Sequence, residues 1–327
     1  MRDPLAWAAL PSYSLRVTLS TQTSTTRAAD AVAWIEAVGA DPALLERPPA
    51  SPSAAEWRAL PVDVLRRHLD AMLVSKNPAE GLDACAITGL LDPWMPEVAA
   101  MIGFGDGEWR HKDVWKHTKQ VVRQSVPRIE VRWGALLHDI GKPRTRKIDG
   151  RGRVTFHGHA ELGARMFRKK MWPRLAFDDA LGDRIHFLIL HHLRPSQYDE
   201  DWTEAAVRRF YKQMGDGLKD LLDLSRADIT TKRPEKRKRG VRNIHSLKER
   251  IERVRSEDDK PKALPKGLGQ HIIQRFDVPP SKHLGNIIKQ LQTDVEAGLV
   301  ESQAEFEVYL EYLAQNRERF ALPAAAE

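Results

Sequence analysis

Apolar residues recur every three or four positions through most of this chain, which predicts a mainly α fold. From about residue 61 the spacing holds through VDVLRRHLDAMLV, GLDACAITGLL, WMPEVAAMI, VWKHTKQVV and VRWGALLHDIG. It resumes in HAELGARMFRKKMW, ALGDRIHFLILHHL, TEAAVRRFYKQM and LKDLLDLSRADITTK. Between the two series KIDGRGRVTF breaks the helical period, and its Asp149-Gly150 step predicts a small hairpin. Ahead of this body, residues 15–19 (LRVTL) alternate as a short strand would. STTRAADAVAWIEAVG then reads as a Ser/Thr-capped helix ending at Gly39, and RPPASPSAAEW (47–57) reads as a linker. A second break, EDDKPKALPKGLG (257–269), sets off a helical segment from SKHLGNIIKQLQTDVEAGLV onward. The division expected is therefore an N-terminal segment 1–58, a helical body 59–256 and a C-terminal helical segment 257–327.

Composition narrows the class. The chain has 327 residues, 42% of them hydrophobic, enough to bury a sizeable core. No apolar run approaches the roughly 18 to 20 residues of a membrane span, and the first apolar stretch is broken by Pro11 and Ser12, which argues against export and insertion. The single cysteine, Cys85, excludes an intramolecular disulfide; in its apolar surroundings it reads as a small buried hydrophobe in a reducing, cytoplasmic compartment. A formal net charge of +7 points to an anionic partner such as a nucleotide or nucleic acid.

The chemistry gathers in one quarter of the chain. Of the 12 histidines, those at 111, 117, 138, 157, 159, 186, 191 and 192 fall between His111 and His192. The stretch GALLHDIGKPRT ends an apolar helix in His138 and Asp139, and a buried carboxylate is normally paired or bound to a metal. The two are about 100° apart around a helix, so both can reach an ion over one shoulder of it. Val114 and Val121 aim His117 inward, whereas His111, six residues earlier, takes another face and is expected in solvent. Asp228, at the end of an apolar helix in LSRADITTK, could close the set. Imidazole and carboxylate together suit a divalent transition metal such as Mn, Fe, Co, Ni or Zn.

An isolated His, an adjacent His-Asp and a distant Asp on helices resemble the HD-domain metal phosphohydrolases, here His117, His138–Asp139 and Asp228. DVWKHTKQVV, GALLHDIGKPRT, VTFHGHAELGARMFR, HHLRP and LSRADITTK, in that order, resemble the HD domain of bacterial CCA-adding tRNA nucleotidyltransferases and their poly(A)-polymerase relatives over about residues 62 to 232. The resemblance implies a helical bundle with a small hairpin. It also implies a second ion held by His159 and His192, of which His192 is preferred to its neighbour His191. His157 and His186 are left to hydrogen-bond nearby or line the pocket. The nucleotidyltransferase half of such enzymes carries a Gly-Gly turn and an Asp-x-Asp pair. This chain has no Gly-Gly and no such pair in its first 60 residues, so the phosphohydrolase portion is expected to stand free.

The expected function is phosphohydrolysis of nucleotides or RNA termini such as 2′,3′-cyclic phosphates. One or two divalent ions would activate water, Asp139 would bridge them, and Lys142 and Arg194 would bind phosphate oxygens. The basic run KRPEKRKRGVRNIHSLKERIERVR (232–255) is a candidate RNA surface, although it carries no aromatic residue for base stacking. The alternative expectation is a non-catalytic tRNA-binding protein with a structural metal, acting beside a separate nucleotidyltransferase.

Overall fold

The computed structural model describes residues 13–104, 113–259 and 263–323, with side chains from residue 26 onward. The chain is mainly helical and forms two compact units, 1–254 and 255–327.

In the first unit, α1 (Tyr13–Ala40), α2 (Ala54–Ala59), α3 (Val62–Val74) and α4 (Pro78–Ile87) precede α5 (Val114–Gln124) and α6 (Ile129–Leu137). Strands β1 (Lys147–Ile148) and β2 (Val154–Thr155) pair antiparallel, Lys147 opposite Thr155 and Ile148 opposite Val154. The turn between them is held by Asp149, whose Oδ1 accepts from the amides of Arg151 and Arg153. Then come α7 (His159–Met166), α8 (Asp179–His191), α9 (Glu204–Met214), α10 (Leu218–Ala227) and α11 (Pro234–Asp258), which belongs to this unit as far as Val254. Helix α6 is the axle of this unit: it packs against α3, α5, α8 and α10, and every residue from Val131 to Leu137 is buried. Because it has no solvent face, its sequence reads as nearly continuous apolar rather than amphipathic. The same core takes in Ala28, Val32 and Ile35 of α1, which packs on α3 and α4.

Two expectations for the first 60 residues are overturned. LRVTL is not a strand but part of α1, which runs unbroken from Tyr13. Five alternating residues are too few to outweigh a helix that propagates from the apolar positions of residues 28–38, since each added residue gains a hydrogen bond without a new nucleation cost. RPPASPSAAEW is not a linker throughout. Ser53 and Glu56 form a reciprocal capping box that starts α2, and Trp57 is fully buried with its Nε1 donating to Thr88 O at 3.0 Å.

The second unit contains α12 (Leu268–Phe276), α13 (Lys282–Glu296) and α14 (Phe306–Gln315) around Ile272, Leu291, Tyr309 and Leu313. No helix among the described residues is long and apolar enough to cross a membrane. Cys85 is buried, and burial pushes its thiol up out of the reactive range.

Candidate metal centre

Six chemistry-bearing side chains converge inside the first unit, and five of them stand at helix ends. His138 caps the C-terminus of α6 and Asp139 follows it; His192 caps α8, Asp228 caps α10, and His159 opens α7. His117 alone comes from mid-helix, in α5. The C-terminal ends of α6 and α8 leave their last carbonyls without intrahelical partners, and His138 and His192 exploit this. His138 Nδ1 donates to Ala135 O and His192 Nδ1 to Ile189 O, each at 2.8 Å, while His159 Nδ1 donates to Phe156 O at 2.8 Å. A carbonyl can only accept, so Nδ1 carries the proton of the neutral ring and Nε2 is the nitrogen each ring turns to the centre.

Asp139 divides these groups between its two oxygens. Its Oδ2 lies 3.2 Å from His138 Nε2 and 3.5 Å from His117 Nε2; its Oδ1 lies 3.4 Å from His159 Nε2 and 3.9 Å from His192 Nε2. Asp228 Oδ1 joins the first group, 3.0 Å from His117 Nε2 and 3.7 Å from His138 Nε2. Within the groups the nitrogens approach closely: 3.3 Å between the Nε2 atoms of His117 and His138, and 3.2 Å between those of His159 and His192. Two donors each about 2.0 to 2.1 Å from a shared ion stand about 3.0 to 3.4 Å apart, so these pairs have the spacing of neighbouring ligands. Asp139 Oδ1 is buried with no hydrogen-bond partner, which is the orphan a cation would satisfy. Two groups of this donor set could each hold a divalent ion: His117, His138 and Asp139, with Asp228 beside them, and Asp139, His159 and His192.

Electrostatics agree with that reading. Burial works against ionisation of Asp139, but His138, His159 and Lys142 outweigh it and hold the carboxyl well below its ordinary range. Asp228 is likewise opposed by burial and drawn down to about 2 by His117 and His138. Burial, reinforced by His138, lowers His192 to about 4, so its ring is neutral at pH 7 as a ligand must be. His138 goes the other way: burial opposes its charged form, yet Asp139 and Asp228 outweigh burial and raise it.

Lys142 reaches the centre, with Nζ 2.6 Å from Asp139 Oδ2. Arg194 makes its contacts elsewhere: Nη2 donates to Gln213 Oε1 at 3.0 Å and the guanidinium lies over the Phe210 ring. His191 turns its ring against Phe187, with 4.8 Å between centroids, and is not part of either group. His157 is exposed and His186 half-buried. His111 lies outside the described residues. One supporting residue carries no sequence signal at all: buried Thr230, two positions past Asp228, contacts His117 Nδ1 through its Oγ1 at 2.9 Å. Such outer partners fix the orientation of a ligand ring. The fold also depends on Gly141, where a Cβ would stand 2.1 Å from His159 O; only glycine lets the turn after Asp139 press against the start of α7.

A pocket of about 250 Å³ opens beside His192 and Asp228, walled further by Ser196 and Asn243. Asp228 is the most exposed member of the centre, its side chain 30% accessible against 1% for Asp139. A ligand would meet the centre from that side.

Residues 111–233 match the family described as the HD domain, and this segment is an HD domain. Among curated proteins, the chain is 31% identical to a CC-adding tRNA nucleotidyltransferase of Thermus thermophilus over 80% of this chain and 59% of the relative. It is 29% identical to an A-adding tRNA nucleotidyltransferase of Deinococcus radiodurans over 77% and 58%. A multifunctional CCA protein of Pseudomonas paraeruginosa is 31% identical over 29% of this chain and 24% of the relative. The chain thus spans a little under three fifths of the length of the first two.

Proposed function

We propose that the HD domain of residues 111–233 is a divalent-metal-dependent phosphohydrolase acting on nucleotides or RNA termini, 2′,3′-cyclic phosphates among them. One observation carries the reading: Asp139 gives one oxygen to each of two histidine groups whose Nε2 atoms converge, and the oxygen between His159 and His192 has no other partner. Divalent ions held there would supply Lewis acidity to a phosphate ester and acidify a water toward neutral pH.

The chain's own groups do the rest. His138, His159 and His192 are locked in their tautomer by backbone carbonyls, so the donors need no reorganisation when the site is filled. Lys142, at Asp139 Oδ2, is the cation this arrangement offers to a non-bridging phosphate oxygen; released from the carboxylate, its ammonium would neutralise developing charge. Arg194, held by Gln213, is the weaker candidate for that role. The pocket at His192 and Asp228 receives the reacting end of the substrate. The cytoplasm is the location this reading assigns, in keeping with the buried thiol of Cys85.

The test is hydrolysis of bis-p-nitrophenyl phosphate, 2′,3′-cyclic AMP, 2′-AMP and 3′-AMP with Mn²⁺, Ni²⁺, Co²⁺ or Mg²⁺, wild type beside Asp139→Ala. Metal-dependent turnover that disappears in the variant supports the proposal. The likeness to tRNA nucleotidyltransferases favours a second reading, a tRNA-binding protein with a structural metal acting beside a separate nucleotidyltransferase. Absence of turnover, with equal tRNA binding by both proteins, would replace the first reading with the second.

A further inference from the structure

A groove of about 780 Å³ runs beside the metal pocket, between α5, the chain segment after Asp228, and the first half of α11. Ligand clefts usually measure ~300 to 1,000 Å³. The groove falls in that range, whereas the metal pocket, at about 250 Å³, is too small for a whole nucleotide and suits only its reacting end. The two spaces are neighbours by construction. Ile229 lines both; Thr230 lines the groove while contacting His117, and α11 faces the metal pocket with Asn243 and the groove with Arg237 and Arg242. Gly240 sits where they meet: a Cβ there would stand 3.2 Å from Ile229 Cδ1, tighter than an ordinary contact, so the Ile229 side chain would have to give by a few tenths of an ångström.

The groove's chemistry is that of a phosphate chain. Ile229 and Val241 give it an apolar floor, and Lys232, Arg237 and Arg242 border it. None of these three cations has a side-chain partner among the described residues, unlike Lys238, which meets Glu235 at 3.4 Å. Unpaired cations beside a cleft attract an anion without first breaking an ion pair.

We infer that this groove holds the nucleotide next to the reacting one, so that the substrate of the metal centre is an oligonucleotide end and not a mononucleotide; the inference rests on the phosphohydrolase reading. Arg237 and Arg242 set the preference by binding the next phosphate, and the apolar floor takes the face of its sugar or base.

The experiment compares 2′,3′-cyclic AMP with a tetra-adenylate ending in a 2′,3′-cyclic phosphate, using the full chain. Hydrolysis is followed with Mn²⁺ and binding by calorimetry in EDTA. The tetranucleotide should be favoured by about tenfold or more in kcat/KM and in Kd, and Arg237→Ala/Arg242→Ala should bring both ratios toward one. Losing the contact to that one phosphate should also flatten the salt dependence of log Kd by about 0.7, the value per phosphate for a single strand. Lys236→Ala/Arg239→Ala removes two exposed cations of the same helix that do not line the groove, and should keep the preference. Equal handling of both compounds by the wild type, or an equal loss in the two double variants, overturns the inference while leaving the phosphohydrolase reading in place. If neither compound is hydrolysed, that reading fails, and equal affinities in EDTA would then overturn the groove as well.

Discussion

His159 Nε2 lies 3.2 Å from His192 Nε2 although both rings donate through Nδ1 to the carbonyl three residues upstream. Two lone pairs so placed repel unless a cation stands between or beside them. The partnerless Oδ1 of Asp139 points into the same space. His192→Asn can keep the bond to Ile189 O while removing the lone pair, so it should lose one of two bound ions; Asp139→Ala should lose both. Metal content per chain after dialysis, read by atomic emission, checks this, and a His192→Asn protein that retains the wild-type content would refute the two-ion assignment.

Thr230 supports the His117 ring from outside the two groups. Thr230→Val preserves shape in a buried site and removes only the hydroxyl at His117 Nδ1. Metal affinity should fall about 10- to 100-fold, the usual cost of losing such a partner, with unchanged circular dichroism. Titration with Mn²⁺ against a chelating dye gives the number. An affinity within twofold of wild type would make Thr230 a bystander.

The helices were legible because most are amphipathic or continuously apolar, and the hairpin because Asp149-Gly150 interrupts that period. His138, Asp139 and Asp228 were legible as helix-end polar groups, which are too costly to bury without purpose. His159 and His192 needed the family resemblance, since nothing in their spacing separates His192 from His191; that choice is made by the cap of α8, which turns one ring inward and leaves the other on Phe187. Thr230 and the wall provided by α11 were illegible for another reason. Both belong to the segment after α10, and their approach to His117 and Ile229 depends on tertiary packing that no local pattern encodes. LRVTL and the capping box at Ser53 failed in the opposite sense: local signals were present, but the Pro/Ser composition and the brief alternation masked them.

The pH response of the metal-free protein follows from His192. Burial depresses its folded-state pKa to about 4, while the unfolded chain titrates near 6.5. As pH falls from 6.5 toward 4 the unfolded state takes up a proton that the folded state refuses, so stability declines across that window by up to about 3 kcal/mol. His138, whose pKa is raised, contributes in the opposite direction: its stabilisation is present at low pH and lost as pH rises through its folded pKa. Urea unfolding in EDTA at pH 7, 5.5 and 4.5, wild type minus His192→Asn, isolates the first effect. The difference should shrink or reverse toward low pH, and a difference constant with pH would contradict it.

Gly141 joins the two halves of the centre by sheer proximity. It follows Asp139 by two residues, and its backbone φ of −78° is one any residue adopts, so alanine would meet no conformational penalty there. The penalty is steric. An alanine Cβ would stand 2.1 Å from His159 O and 2.9 Å from Gly163 N, both backbone atoms that cannot rotate away. Helix α7 would have to shift as a body, carrying His159 away from Asp139 Oδ1, while His117, His138 and Asp228 stand on other helices and stay in place. Gly141→Ala should therefore destabilise by about 1 to 3 kcal/mol, as overpacking does. For a unit of this size that is a fall in Tm of about 3 to 10 °C. Binding at the His159–His192 group should weaken more than at the other, so a titration that is biphasic in the variant, with only the weaker phase displaced, is the expected signature. A wild-type Tm with both ions bound at full affinity would show that the close approach at Gly141 does not position the second group.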